Sequence, residues 1–269
     1  MKIAAYILLF NQEQWILKTI DSCGPFVDKI YIAWSSVPWS YNPEAKLIKN
    51  NSDPEMLKKS KYYDKIVLIK GVWKLDEDQR NACRLKAIDD GMDYLITQDA
   101  DEFYTFEDYN KIIQGIKDNP NYDFYKTPWI CYWKNKKTAV YAPPPYGKGI
   151  ICGYPEIAIN LHTGYEFVRA RCPGKNSLRC GSFFTLDSIC HHMSFVLSDK
   201  ECFNKISTWS HSHQFDNKKW FNEVWLKWTP NSINIHPVEP GAWSKTVPVD
   251  DYKLPEVLCD DYKLSEVLC

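Results

Sequence analysis

The feature that most constrains this chain is an alternation, through its first hundred residues, of short apolar runs with segments of helical period. Residues 2–10 form a β-branched and apolar run without strict alternation, the pattern of a strand buried on both faces. Trp15, Ile16, Thr19, Ile20 and Cys23 then recur at helical spacing, with Asn11 as the expected cap and Gly24-Pro25 as the stop. Further strands are expected at 27–34, 65–69 and 93–98, a loop at 35–42 and polar helical material at about 43–61. A helix is expected at 76–90, with acidic residues in its first turn and Gly91 just past its end. This β-α-β-(α)-β-α-β order predicts an α/β, Rossmann-like fold with a mostly parallel central sheet flanked by helices. Ligands bind such sheets beyond the carboxyl ends of the strands, where Asn11, Trp34, Gly71 and Asp99 fall.

The fourth run delivers three carboxylates within four residues, Asp99-Ala100-Asp101-Glu102. In extended backbone Asp99 and Asp101 share a face, and two adjacent carboxylates repel unless a cation or a shared proton neutralises them. A divalent metal with oxygen ligands would do so and leave positions for phosphate oxygens. A solvated turn after a strand is the plainer alternative. The position at a strand end favours the site. Glu102 alternates to the other face, where it either braces the metal shell from behind, the favoured role, or meets solvent.

In order and spacing, Phe10-Asn11-Gln12-Glu13, Asp78-Gln79-Arg80-Asn81-Ala82 and 95–103 resemble the nucleotide-sugar-dependent glycosyltransferases of the GT-A fold, closest to the family 2-like group. The resemblance covers about residues 1–110, and its motifs are specific as a set. It implies that Asn11 and the Arg80-Asn81 helix line a nucleotide pocket, that Asp99 contacts ribose or metal, and that Asp101 grips the metal on a diphosphate. It makes Arg80 a candidate for a phosphate or base contact. Many relatives carry an Asp at the end of the second strand to read uracil; Trp34-Ser35-Ser36 stands here instead and leaves the base open.

Beyond residue 104, a helix is expected at 106–118 and one strand at 122–133, whose Trp129 and Trp133 either line an acceptor groove or pack a hairpin. Pro143-Pro144-Pro145 reads as a rigid loop, expected beside the acceptor groove. Inversion at the sugar carbon needs a carboxylate to take the acceptor's proton, and Glu156, then Asp187, are the candidates. In Cys190-His191-His192-Met193-Ser194, His192 with Ser194 resembles the late GT-A histidine that completes the metal shell, and His191 points the other way along a strand. Imidazole beside carboxylates suits Mn²⁺ somewhat better than Mg²⁺. A helix from Asp199 to about Trp209 carries Lys205, His211 follows, and a second helix is expected at 217–228. His192-Met193-Ser194, Lys205 and His211 also resemble the β-mannoside N-acetylglucosaminyltransferase group, which implies that Lys205 and His211 neutralise the departing nucleoside diphosphate. Solvated or backbone-bonded side chains are the alternative for each.

The expected division is a domain at 1–228, with a nucleotide-sugar half at 1–103 and an acceptor half at 104–228, then an irregular tail at 229–269. That tail ends in a near-exact duplication, DDYKLPEVLC at 250–259 and DDYKLSEVLC at 260–269, too few copies for a solenoid. The last copy is expected to hang loose or pair with a partner. With 33 Lys and Arg against 34 Asp and Glu, no global field draws the chain to nucleic acid or acidic membrane. The apolar start at 3–10 is too short to span a bilayer and lacks a cleavage site, so no transmembrane segment is expected. Ten cysteines without a C-x-x-C pair are expected to stay reduced in a cytoplasm. The reading is a soluble, metal-dependent glycosyltransferase acting on a nucleoside diphosphate sugar and a carbohydrate or glycoconjugate acceptor. A nucleotidyltransferase, a DNA-base glycosyltransferase and a non-catalytic carbohydrate-binding protein are the alternatives.

Overall fold

The computed structural model describes residues 1–39, 48–249 and 253–259. Its first half follows the alternation: β1 (Ile3–Leu9), α1 (Ile16–Cys23), β2 (Lys29–Trp34), β3 (Ile66–Lys70), α2 (Asp76–Asp89) and β4 (Tyr94–Thr97). β1 is flanked by parallel β2 and β4, and β3 extends the sheet beyond β2. The unbroken apolar run of β1 has a simple cause. Ile3, Ala5, Ile7 and Leu9 face one core layer with Ile16 and Ile20 of α1, while Ala4 and Tyr6 face another with Cys83 and Ala87 of α2. Burying each large aliphatic residue there contributes about 1.5–3 kcal/mol, and that burial fixes the strand in the middle of the sheet.

α2 stops at a Schellman cap in which Met92 N–H donates to Ala87 O and Gly91 N–H to Ile88 O, both at 3.0 Å. Gly91 has φ +70°, a conformation a side chain would strain. Asn11 does not cap α1. It takes φ +53° and ties the loop after β1 to residues 50–51, its Oδ1 accepting from Asn51 N–H at 2.6 Å. Of the polar helical material expected at 43–61, residues 54–59 form a 3₁₀ helix and 43–47 lie outside the described residues.

β5 (Glu102–Phe103) and α3 (Phe106–Asp118) come next. The single strand expected at 122–133 is two, β6 (Phe124–Lys126) and β7 (Trp129–Trp133), because Pro128 lacks the N–H that a continuous ladder needs. They enter different sheets. β8 (Asn135–Tyr141), β9 (Glu156–Asn160), β10 (Glu166–Arg169), β11 (Cys172–Lys175), β12 (Leu178–Arg179), β13 (Phe183–Thr185), β14 (Cys190–Phe195), α4 (Asp199–Thr208), α5 (Asn217–Trp220) and β15 (Lys245–Pro248) complete the described elements used below. α5 runs into a π-type turn at Phe221–Trp225, so the second helix is shorter than expected.

The central sheet has the order β13-β6-β9-β4-β1-β2-β3 and is mostly parallel; β9 runs antiparallel to both its neighbours. A second sheet, β15-β8-β7-β14-β5, lies beyond the carboxyl end of β4, and β10-β11-β12 make a small third one. The chain is therefore α/β with helices flanking a mostly parallel sheet. Val257 and Leu258, in the first copy of the repeat, are fully buried against this body; the second copy lies outside the described residues. No described helix is long and apolar enough to cross a membrane.

Candidate active site

The ladder of β4 ends when Gln98 N–H reaches Tyr6 O at 3.2 Å. Ala100 and Asp101 form a turn and not the extended backbone that a shared face for Asp99 and Asp101 requires. Glu102 N–H donates to Asp99 O at 3.0 Å, closing a turn over Asp99-Ala100-Asp101-Glu102. Thr19 of α1 holds the turn by donating to Ala100 O, and Met193 N–H donates to Asp101 O at 2.7 Å. The turn separates the two aspartates, and they meet different cations.

Asp99 meets two arginines. Arg80 Nη1 is 3.0 Å from its Oδ1 and Arg171 Nη2 is 2.6 Å from its Oδ2. Arg80 projects from α2, where Asp76 one turn earlier holds its Nε at 2.5 Å and the Tyr6 hydroxyl takes its Nη1. Arg171 reaches in from the β10–β11 turn, where Ala170 has φ +48°, and also binds Glu102 at 2.7 Å. Glu102 is fully buried and accepts from Asp99 N–H at 3.1 Å, so it braces Asp99 from beneath as expected. Burial opposes ionisation of Asp99, but the charges of Arg171 and Arg80 outweigh it and hold its carboxyl well below the usual range. For Glu102 burial prevails over the attraction of Arg171, and its carboxyl is raised.

Asp101 meets Lys205 and His192. Lys205 Nζ, on α4, is 2.7 Å from Asp101 Oδ2 and 2.7 Å from Ser194 Oγ, while His192 Nε2 is 3.5 Å from Asp101 Oδ1. Burial again works against the anion, and Lys205 followed by His192 overcomes it, leaving Asp101 well below the carboxylate range. The strand period places the histidines as expected. His192 and Ser194 of β14 face Asp101; His191 turns away, is buried, and pairs its Nδ1 with the Tyr132 hydroxyl at 2.8 Å. Trp129 connects the two halves of the cluster, with the Arg171 guanidinium 5.1 Å from its ring centroid and His192 4.7 Å from it on a tilted stack.

These groups line one cavity of about 720 Å³ at the carboxyl ends of β1, β2 and β4. Asn11, Arg80, Asp99, Asp101, Glu156, His192, Lys205 and His211 all lie on its wall. Glu156, at the start of β9, is buried and paired with Arg179 and, at 3.5 Å, with Lys126. His211 sits on the far side, bonded through Nδ1 to Gln214 at 3.0 Å and packed edge-on against Trp209. Asp187 is exposed and absent from the wall; it points to solvent between buried Leu186 and Ser188. The Pro143-Pro144-Pro145 segment is also off the wall, and Trp133 is core, packed among Phe195, Trp220 and Trp225.

Asn81 does not line the cavity. Its amide clamps the backbone of Phe167, donating to the carbonyl at 2.8 Å and accepting the N–H at 3.0 Å. The clamp docks β10 on α2 and thereby aims Arg171. Sequence reasoning gave Arg171 no role, since no local pattern marks a turn residue whose carboxylate partner is about 70 positions earlier.

Among the described residues, no set of three or more His, Cys, Asp or Glu side chains converges to hold a metal ion. Both Asp99 oxygens are held by arginines, and the two Asp101 oxygens face Lys205 and His192. Asp101 and His192 form a two-donor pair on the cavity wall. Mg²⁺ and Mn²⁺ are commonly held by one or two side chains with substrate phosphates and waters completing the shell, so this pair fits the protein's share of such a site.

No family model matches the sequence, and no curated protein matches it. Among solved structures the chain is similar to S. aureus TarS 1-349, at 11% identity over 80% of this chain and 74% of that one, with a TM-score of 0.44. It is similar to 4-diphosphocytidyl-2C-methyl-D-erythritol synthase from Anaerococcus prevotii, at 13% identity over 76% of this chain and 96% of that one, with a TM-score of 0.41. HddC from Yersinia pseudotuberculosis aligns at 10% identity over 71% of this chain and 94% of that one, with a TM-score of 0.39.

Proposed function

We propose that this chain is a glycosyltransferase that moves a sugar from a nucleoside diphosphate sugar to an acceptor hydroxyl of a carbohydrate. The observation that carries the reading is the meeting of Asp101, His192 and Lys205, from a strand-end turn, a second sheet and a helix, on the wall of one cavity at the carboxyl edge of the sheet. A diphosphate leaving group needs positive charge fixed in advance, and cations already held in position by carboxylates supply it with little reorganisation. Lys205, Arg80 and Arg171 are the cations, and Asp99 and Glu102 hold the arginines in place. Asp101 and His192 would hold a divalent cation, Mn²⁺ or Mg²⁺, which screens the diphosphate charge when bound. Glu156 is the carboxylate placed on the wall to take the acceptor proton.

The test is a screen of thermal stabilisation by UDP-, GDP- and TDP-sugars, with and without Mn²⁺. A metal-dependent rise in Tm with one nucleotide series is expected, and Asp101→Asn should lose that rise while still unfolding cooperatively, its unliganded Tm lower by roughly 4–8 °C for the lost Lys205 pair. No response to any donor sinks the reading. Release of pyrophosphate from a nucleoside triphosphate and a sugar phosphate would assign a nucleotidyltransferase instead.

A further inference from the structure

Cys131 lies in β7, and Cys152 lies on the segment that returns antiparallel to it, held by the Ile130–Ile151 bridge and by Cys152 N–H donating to Trp129 O at 2.9 Å. Their sulfurs are 2.6 Å apart. That is closer than non-bonded sulfurs rest, and only about half an ångström beyond the ~2.05 Å of a disulfide. Both are free thiols. The backbone pairing sets the two residues diagonally across neighbouring segments, on the same side. Other free cysteines, such as Cys23, Cys83 and Cys202, are buried in the cores of separate elements.

The pair is reachable. Cys131 lines the cavity and Cys152 is half-buried, so a small reagent meets Cys152 first. It also touches the site: Cys131 Sγ is 3.7 Å from His192 Nδ1, the opposite ring nitrogen from the one facing Asp101.

We propose that Cys131 and Cys152 form a thiol–disulfide modification site whose reaction partner is a low-molecular-weight disulfide. Cys152 sulfur attacks one sulfur of the reagent, forming a mixed disulfide and releasing the first small thiol. Cys131 then attacks the Cys152 sulfur, forming the 131–152 bond and releasing the second. Each cysteine gives up one proton, which leaves on a released thiol. Two protein thiols are oxidised and one reagent disulfide is reduced.

Treating the folded, full-length chain with oxidised glutathione at neutral pH, alkylating the remaining thiols and mapping the peptides tests this directly. The expected result is a 131–152 linked peptide and an intact mass lower by two hydrogens, reversed by reduced glutathione. Cys131→Ser should trap glutathione on Cys152. Recovery of Cys131 and Cys152 separately alkylated, from wild-type protein that has stayed folded, overturns the proposal. So does a bond from either one to a different cysteine. The wild-type map decides even if the serine variant does not fold.

Discussion

Arg171 is the residue whose removal the structure makes most informative. Its guanidinium bridges Asp99 and Glu102, and the side chains of Arg171 and Glu102 are 9% and 0% exposed. Breaking a buried ion pair from one side costs about 3–5 kcal/mol, because the partner is left uncompensated away from water. Glu102 has an escape. Its carboxyl is already raised by burial, so without Arg171 it takes up a proton, which limits the loss to the lower part of that range. Arg171→Met, which keeps most of the stem, should therefore destabilise by about 3 kcal/mol in urea unfolding at neutral pH with the m-value unchanged. At roughly 2–4 °C per kcal/mol for a chain of this size, the melting temperature should fall by on the order of 10 °C. Glu102→Gln alone should cost less, and the double variant should fall short of the sum by about 1–2 kcal/mol, the coupling expected of direct partners. A loss under about 1 kcal/mol for Arg171→Met, or strict additivity, would refute the argument that this arginine holds the carboxylate cluster together.

Further outcomes follow from the same groups. Burial lowers the pKa of His191 from 6.5 to about 4, so the unfolded chain takes the proton first; stability present above pH 6.5 should fall by on the order of 3 kcal/mol as pH drops towards 4. His191→Gln, which keeps a partner for the Tyr132 hydroxyl, should flatten that slope in acid titration of urea midpoints. Asp101 is held low, so its ion-pair contribution is present above the ordinary carboxylate range and lost as pH falls through and below it. Lys205→Met should accordingly cost on the order of 2 kcal/mol at pH 7, a difference that begins to shrink as pH falls below about 4 and is still partly present at about pH 2. Glu156→Gln should lower kcat on a glycosyl acceptor by about 10²-fold or more with little change in donor affinity by titration calorimetry; an unchanged kcat would remove Glu156 as the base.

Much of the first half was legible because its signal is local. β1 is apolar at every position since both faces are buried, and α2 shows its ends through the acidic turn at Asp76–Asp78 and the φ-positive Gly91. That His192 and Ser194 share one face of β14 was also legible, through strand alternation, whereas the pairing of Lys205 with Asp101 was not. What escaped depends on contacts across the chain. The turn at 99–102 is set by Thr19 and Met193, not by the Asp-Ala-Asp sequence, and it sends the two aspartates to different cations. Arg171 is aimed by Asn81 through Phe167, and the split at Pro128 sends the two halves of one apolar run into different sheets. Asp187 looked like Glu156 as a lone carboxylate, and burial distinguishes them: Glu156 is buried at the start of β9 and Asp187 is exposed.

The most direct test of the central claim is the identity of the nucleotide product. Wild-type protein and Asp101→Asn would each be incubated with the stabilising donor, Mn²⁺ and a panel of oligosaccharides, and the products resolved by chromatography and mass spectrometry. The account predicts nucleoside diphosphate and an acceptor one sugar heavier from the wild type, with turnover lost in the variant and when the metal is chelated. Donor that is bound but never cleaved, or equal turnover by Asp101→Asn, would contradict it.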